Sequence, residues 1–137
     1  MFITYEEMST VIYEYSLTEI TTQTDVEFQI AAAIQEMSSY LHSNYDTEAI
    51  FNATGEERNK LLVEFGKSIA IYYVIRVCNS DYLFDKAQLY YDNAIAWLTK
   101  VAGNNNVAPN LPLKKDDDGE VKIKSRYASN TKFNHSF

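Results

Sequence analysis

The sequence predicts an all-α fold, a small four-helix bundle in residues 1–103 followed by an extended C-terminal arm in residues 104–137. Three observations lead to this prediction. The run from 61 to 77 is apolar over most of its length, a Ser/Thr-x-x-Glu pattern precedes three apolar stretches, and no helical period returns after Gly103. A chain of 137 residues is long enough for one such domain with an appendage.

The segment 61–77 (LLVEFGKSIAIYYVIRV) predicts a buried central helix. Its first half has an apolar stripe at spacings of three and four, formed by Leu61, Leu62, Phe65 and Ile69. From Ile69 onward only Arg76 is polar, and a helix that is apolar on all sides must be enclosed by other elements. The run is too short and too interrupted by charge to span a bilayer, so we expect no membrane contact.

Two stretches predict helices before the central one. TYEE at 4–7 has the form of a capping box, in which two side chains bind orphan amides at a helix start, and it predicts a short helix over 5–15. The threonine-rich stretch 16–23 is expected to form a loop. A second box, TDVE at 24–27, predicts a longer helix that ends near His42.

The remaining helices form a predicted hairpin. Residues 44–53 are too apolar for a free loop, and we expect them to fold back on the bundle. A third box, TGEE at 54–57, predicts the start of the central helix. The stretch 79–81 (NSD) ends that helix and caps the next, which extends to Gly103, a residue typical of helix ends. The two long helices should therefore lie antiparallel.

The charge of the chain is divided between the body and the arm. Residues 1–103 carry 6 basic and 15 acidic residues, a net −9, whereas residues 104–137 carry 6 basic and 4 acidic ones, a net +2. The acidic body should repel nucleic acid rather than bind it. The basic arm could bind an acid-rich surface, including the body of another copy, or could simply be solvated.

The arm has the pattern of a β-hairpin over 113–127. DDG at 117–119 is a turn signal, and beyond it apolar and basic residues alternate as on a strand. Because a lone hairpin is marginal in water, the arm needs a surface to pack on, and a neighbouring chain is the simplest one. The predicted partner-binding residues are its apolar anchors and basic positions: Val121, Lys122, Ile123, Lys124, Arg126, Tyr127, Phe133 and Phe137.

No catalytic, cofactor or metal constellation stands out, and we expect a protein that is not an enzyme and needs no cofactor. His42 and His135 lie on different elements without further ligands at metal-binding spacing. Cys78 is the only cysteine, which excludes an internal disulfide and favours a reducing compartment. The acidic turn 116–118 lacks the other positions of a calcium loop, and no glycine-rich phosphate-binding motif occurs.

Tyrosine is frequent, with eleven copies, and forms adjacent pairs on the two longest helices. Tyr72 and Tyr73 lie on one helix, and Tyr90 and Tyr91 on the other. One helix cannot bury both members of such a pair in the same core. The rings could pack at the rim of the bundle with their hydroxyls in water, or they could form a subunit interface, where tyrosine is enriched.

Spaced aromatic and small residues run through most of the chain. They occur at 40–46 (YLHSNYD), at 50–51 (IF) with Thr54, Gly55 and Arg58, at 71–72 (IY) with Arg76, and at 91–98 (YDNAIAWL) with 101–103 (VAG). Together they resemble the Mu-like prophage family of small head–tail connector (adaptor, or head-completion) proteins of tailed bacteriophages. The closing 126–134 (RYASNTKFN) is similar to a C-terminal signature of some members, although Ala128 and Phe133 depart from it.

The resemblance implies a structural protein of the virion neck, present in the bacterial cytoplasm during assembly. Such adaptors form a homo-oligomeric ring, typically of twelve copies, beneath the portal protein. DNA passes through the lumen without sequence-specific binding, the C-terminal extension reaches the portal or a neighbouring subunit, and the opposite rim receives the next neck or tail-completion protein. The alternative reading of the residues is a soluble helical protein–protein interaction module without ring assembly.

Overall fold

The computed structural model describes residues 1–12, 14–77, 84–103 and 107–116. Over these residues the chain is mostly helical, which confirms the predicted all-α class. Two 3₁₀ turns, Glu6–Thr10 and Gly55–Glu57, precede α1 and α4. No helix within these ranges is long and apolar enough to cross a membrane. In chain order the α-helices are α1 (Glu14–Ile20), α2 (Gln23–Leu41), α3 (Thr47–Asn52), α4 (Lys60–Val77) and α5 (Phe84–Gly103).

Helix α4 is the buried central helix, as predicted. It packs against α2, against α5 and against the N-terminal 3₁₀ turn, and α2 and α5 also touch each other. A fully buried aliphatic side chain contributes roughly 1.5–3 kcal/mol relative to an exposed one, so the enclosure of α4 provides much of the core energy. Its buried residues point in several directions: Leu62, Val63, Gly66, Lys67, Ile69, Ala70, Ile71, Val74 and Ile75.

The N-terminal region differs from the predicted helix over 5–15. Only Glu6–Thr10 forms a 3₁₀ turn, and α1 occupies most of the stretch that was predicted to be a loop. Leu17 and Ile20 lie three residues apart, so one helical face buries Leu17 and packs Ile20 against the core. That burial outweighs the weak helix propensity of the threonines around it.

Helix α2 begins two residues earlier than predicted. Its N-cap is Thr22, not Thr24, because the Thr22 hydroxyl accepts the Asp25 amide at 3.2 Å and donates to the Asp25 carboxylate at 2.7 Å. The sequence contains two overlapping capping patterns here, 22–25 and 24–27, and the chain uses the earlier one. Val26 and Ile30 are buried on the inner face, as expected.

The predicted cap at Thr54 does not start α4. Gly55 has a positive φ of 58°, a left-handed conformation that cannot continue into a right-handed helix, so only a 3₁₀ turn forms there. The chain then extends through Arg58 and begins α4 at Lys60. Asn59 is the actual capping side chain, since its Oδ1 accepts the Leu62 amide at 3.0 Å.

The connector between α2 and α4 folds back on the bundle, as expected. It contains α3, whose start is capped by Asp46 through the Ala49 amide at 3.1 Å. Ile50 is buried, and the ring of Phe51 meets the ring of Phe2 edge to face with centroids 5.1 Å apart. The connector therefore also covers the N-terminal segment.

A partly buried ion pair attaches the N-terminal segment to the start of α4. Arg58 donates from both terminal nitrogens to the Glu7 carboxylate, at 2.7 and 2.9 Å. The same guanidinium donates to the carbonyl oxygens of Phe2, at 2.8 Å, and Gly55, at 2.9 Å. These bonds, which we call the Arg58 clasp, hold Phe2 and Ile3 in the core, where both are buried.

The first part of the C-terminal arm lies on the body. Residues 107–116, which we call the strap, form one antiparallel bridge between Leu113 and Tyr45. The rest of the predicted hairpin, from 117 to 127, lies outside the described residues. Within the described ranges the structure contains isolated bridging and no extended strand, so the chain from 107 to 116 joins the helical body by pairing with the α2–α3 connection.

Gly66 is required where the N-terminal segment crosses α4. A Cβ atom at this position would lie 2.8 Å from Met37 Cε and closer still to Ile3 Cδ1, and both of those side chains are fully buried. We predict that Gly66→Val lowers the free energy of unfolding by about 2 kcal/mol, the usual effect of overpacking a core. Urea unfolding measures this. Ser68→Val on the same helix is the matched control and should change stability by less than about 0.5 kcal/mol; equal effects would contradict close packing at Gly66.

The Arg58 clasp predicts a specific loss of stability in acid. The hydrogen bond from Arg58 lowers the Glu7 pKa from 4.5 to about 2. The carboxylate therefore stabilises the fold above pH 4.5 and loses that contribution as the pH falls toward 2. Because part of the side chain is exposed, we expect a contribution of roughly 1–2 kcal/mol. In urea unfolding, Glu7→Gln should be less stable than wild type at pH 7, and the difference should shrink in acid. Glu6→Gln, an exposed neighbour, should show no such difference.

Candidate interaction site

The predicted tyrosine pairs are divided between two faces of the α4–α5 pair. Tyr72, Tyr73 and Tyr91 lie half-buried on the face that meets α2. Tyr90 lies on the opposite side, 47% exposed, beside the N-terminal 3₁₀ turn. The structure thus brings three of the four predicted interface tyrosines into contact within a single chain and leaves Tyr90 accessible.

A carboxylate of α2 joins the tyrosines of α4 and α5. Tyr91 donates its hydroxyl to Glu36 Oε1 at 2.7 Å, and Tyr73 donates to Glu36 Oε2. Both carboxylate oxygens therefore have a hydroxyl donor, and Glu36 connects all three long helices. A carboxylate in this position acts as an acceptor for two neutral tyrosines rather than as a free base.

The rings around Glu36 stack on one another. Tyr72 and Tyr91 have centroids 4.3 Å apart at an interplanar angle of 23°, and Tyr73 lies 6.0 Å from Tyr91. The Arg76 guanidinium lies over the Tyr73 ring, with its carbon 4.9 Å from the centroid. This is a cation–π geometry. We call the set of Glu36, Tyr72, Tyr73, Arg76 and Tyr91 the tyrosine cluster.

Burial and the neighbouring carboxylate keep these phenols protonated. Desolvation, reinforced by the hydrogen bond to Glu36, raises the pKa of Tyr73 from 10 to about 12. The same two causes raise the pKa of Tyr91 further. Both hydroxyls therefore stay neutral donors over the whole physiological range, which suits a structural junction between helices.

The other face of the α4–α5 pair carries an apolar groove. It has a volume of about 360 Å³ and lies between the N-terminal 3₁₀ turn, α4 and α5. Its size is at the low end for ligand sites and suits one or two side chains. The floor is formed by apolar residues, Val11, Ile12, Phe65, Ile71, Ile75 and Ala87, and the rim by Thr10, Glu64, Ser68, Lys86 and Tyr90.

A buried lysine stands beside the groove rim. Lys67 is only 4% exposed, and its ammonium contacts Glu64 Oε1 at 2.6 Å and donates to the Thr10 hydroxyl at 2.7 Å. The two partners both belong to the groove rim. Lys67 therefore fixes the 3₁₀ turn against α4 and holds the rim at this point without opening into the groove.

Phe65 connects the groove to the only tryptophan of the chain. The rings of Phe65 and Trp97 have centroids 5.1 Å apart, and Phe65 also forms part of the groove floor. Trp97 is partly buried. A change at the floor of the groove is therefore transmitted to Trp97 through one ring.

The strap is anchored at the opposite end of the body. The Asp46 amide donates to the Pro112 carbonyl at 2.9 Å, and the Lys114 amide donates to the Asn44 carbonyl at 3.1 Å. Asn59, at the start of α4, donates its side-chain amide to the Pro109 carbonyl at 3.1 Å. Val107 and Leu111 pack on the core. These contacts fix the position of the strap on the body.

Several predicted positions lie outside the described residues. The partner-binding residues of the arm, all of which lie between 121 and 137, are outside the described residues, as are Cys78 and His135. His42 is exposed at the end of α2, and its carbonyl accepts from Lys114 Nζ at 3.4 Å. Among the described residues no group of three or more His, Cys, Asp or Glu side chains is arranged to hold a metal.

Sequence reasoning missed Glu36, Lys67 and the groove. Glu36 precedes the buried Met37 and lies at the edge of the apolar face of α2, a position where a carboxylate needs a partner. Lys67 interrupts an apolar run in the same way. The groove has no such signal, because it arises from the spacing of three elements that are distant in sequence.

Comparisons with protein-family models, with curated proteins and with solved structures give no match.

The tyrosine cluster predicts a loss of stability in alkali. Because folding raises both tyrosine pKa values, their contribution is complete below pH 10. That of Tyr73 is lost as the pH rises to about 12, and that of Tyr91 declines over the same range and beyond it. We predict that Tyr91→Phe lowers the free energy of unfolding at pH 7 by about 1–2 kcal/mol, since it removes a hydrogen bond to a charged acceptor. Tyr73→Phe should flatten the decline of stability above pH 10. Tyr90→Phe, which lies outside the cluster, is the matched control, and an equal effect there would contradict the assignment.

Proposed function

We propose that this chain is a non-enzymatic head–tail adaptor of a tailed bacteriophage or prophage. In this role a homo-oligomeric ring, of twelve copies in the family that the sequence resembles, lies beneath the portal protein. The ring lets DNA pass and joins the capsid vertex to the next neck or tail-completion protein. The protein acts in the virion neck after assembly in the bacterial cytoplasm.

The residues that carry the resemblance make contacts that stabilise the body, which supports the proposal. Asn44 donates its side-chain amide to the Ala102 carbonyl at 3.3 Å, which joins the segments 40–46 and 101–103. Arg58 forms the clasp, and Tyr91 belongs to the tyrosine cluster. These residues hold the helical body together, as expected of a structural protein.

The observation that carries the proposal is the anchored arm. The strap is hydrogen-bonded to both the α2–α3 connection and the start of α4. Beyond it, residues 121–137 contain four basic and no acidic residues, with apolar residues between them. A segment of this composition that continues from a fixed point is suited to reach a second protein and to pair with an exposed strand there.

The charge of the body fits a DNA conduit. The net charge of −9 over residues 1–103 disfavours binding to phosphate, so DNA would pass an acidic wall without adhering to it. A ring also requires two different complementary patches on each subunit. Exposed apolar residues on separate helices, among them Phe28 on α2 and Leu89 on α5, are candidates for such patches.

The groove favours a second candidate function. A soluble helical module that binds one apolar peptide, without forming a ring, would use a site of this kind. Native mass spectrometry with the portal protein of the same phage distinguishes the two. A ring-sized assembly on the portal supports the adaptor, and a strict one-to-one complex supports the module.

The arm can be tested directly in portal binding. We predict that reversing the charge at Lys122, Lys124 and Arg126 weakens binding to the portal at least about tenfold, because the basic side chains position the arm and each contributes to electrostatic complementarity. Lys60→Glu with Lys100→Glu is the control, since both residues are exposed on the body. Co-sedimentation or interferometry with the portal measures the change. Unchanged affinity after the arm substitutions would remove the arm from the interface.

A further inference from the structure

We infer that, in the free chain, the groove between the N-terminal 3₁₀ turn, α4 and α5 is the docking site of the chain's own C-terminal tail, residues 131–137, with Phe133 and Phe137 as its anchors. The inference concerns the unassembled protein and does not rest on the adaptor role. It assigns an occupant to a surface that the proposed function leaves empty.

The chemistry of the groove matches that tail. Its floor is apolar, with Phe65 half-buried and Ile71 and Ile75 buried at its base, and its volume of about 360 Å³ suits one or two side chains. Phe133 and Phe137 are the only large apolar residues after Tyr127, and they are four residues apart. In a single helical turn this spacing places both rings on one face, which is the usual way that a short segment enters a groove.

Charge also favours this occupant. Residues 121–137 carry four positive charges and no negative one, whereas the body carries a net −9. The rim itself carries both signs, since Glu64 is paired with Lys67 and Lys86 is exposed, so the attraction comes from the net charge of the whole body. Long-range attraction therefore keeps the tail close to the body, although salt screens it.

The length of the arm matches the distance to the groove. Lys114 binds Asn44, which in turn binds Ala102 near the end of α5, while the groove is lined by Ala87 near its start. The helical segment from Ala87 to Ala102 is about 22 Å long. A connector from 116 to 133 can extend to about 56 Å, and an unfolded polymer of that length has a root-mean-square end-to-end distance of about 25 Å.

Tethering decides between the chain's own tail and that of a second copy. The effective concentration of a tethered segment at its site is highest when the average length of the connector equals the distance to be spanned. For short connectors it is in the millimolar range. A tail from another molecule competes only at millimolar protein concentration. The free chain should therefore cover its own groove, and a partner that binds the tail has to displace Phe133 and Phe137 from it first.

The test measures the binding of a synthetic peptide of residues 121–137 to the full-length protein, with the fluorescence of Trp97 as the readout. Trp97 reports on the groove because its ring contacts Phe65 in the floor. With an effective concentration of about 1 mM and an intrinsic Kd of about 0.1 mM, wild type should bind the peptide roughly tenfold more weakly than a full-length F133S/F137S variant. Ser129→Ala with Ser136→Ala, both within the peptide's range of 121–137, is the control and should bind like wild type.

A second pair of variants tests the location. In the F133S/F137S background, Tyr90→Ala at the groove rim should weaken peptide binding severalfold, whereas Leu89→Ala should not, because Leu89 is exposed on the same helix but does not line the groove.

Equal peptide affinity of wild type and F133S/F137S would overturn the inference, as would equal effects of the two α5 substitutions. A concentration-dependent dimer that F133S/F137S abolishes would assign the groove to a second copy and would also overturn it. None of these measurements uses a portal protein, so a negative result here does not bear on the adaptor proposal, which has its own test.

Discussion

The apolar surface of α4 is the constraint on which the rest of the structure depends. A helix that is apolar on nearly every side cannot be stable until several neighbours cover it. Helices α2 and α5 cover two sides, and the N-terminal segment covers a third, where Gly66 lets Ile3 approach. The 3₁₀ turn covers α4 directly, whereas α1 packs against that turn and α3 packs against α2.

Polar junctions complete this enclosure at its margins. The Arg58 clasp attaches the N-terminal segment, Lys67 attaches the 3₁₀ turn, and Glu36 joins α2 to the tyrosines of α4 and α5. Among the described residues no buried side-chain nitrogen or oxygen lacks a hydrogen-bond partner. Satisfied networks of this kind favour one arrangement of the helices over others, because a shift would separate partly buried charges from their partners and leave Lys67 buried without its own.

The long helices could be predicted from the sequence because their apolar periods extend over four or more turns. The short elements could not, since a capping pattern states which hydrogen bonds are available but not which of them the chain will use. At 22–27 two capping patterns overlap. In the pattern that begins at Thr4, the Glu7 carboxylate also binds Arg58, which is fifty-one residues away. The tyrosines of the candidate site could be singled out from the sequence. Their partner Glu36 was not, because the register between α2 and α5 is set only by tertiary packing.

The strap determines how mechanical load enters the molecule. Residues 107–116 stand between the arm and the body, and two main-chain hydrogen bonds around Tyr45 and Leu113 attach them to the α2–α3 connection. Tension on the arm would load these bonds before it reached α5. Because Asn59 binds Pro109 as well, that tension reaches the first turn of α4 as well as the end of α2. A force applied at the arm is thus shared by two helices of the bundle and does not simply peel α5 from its end.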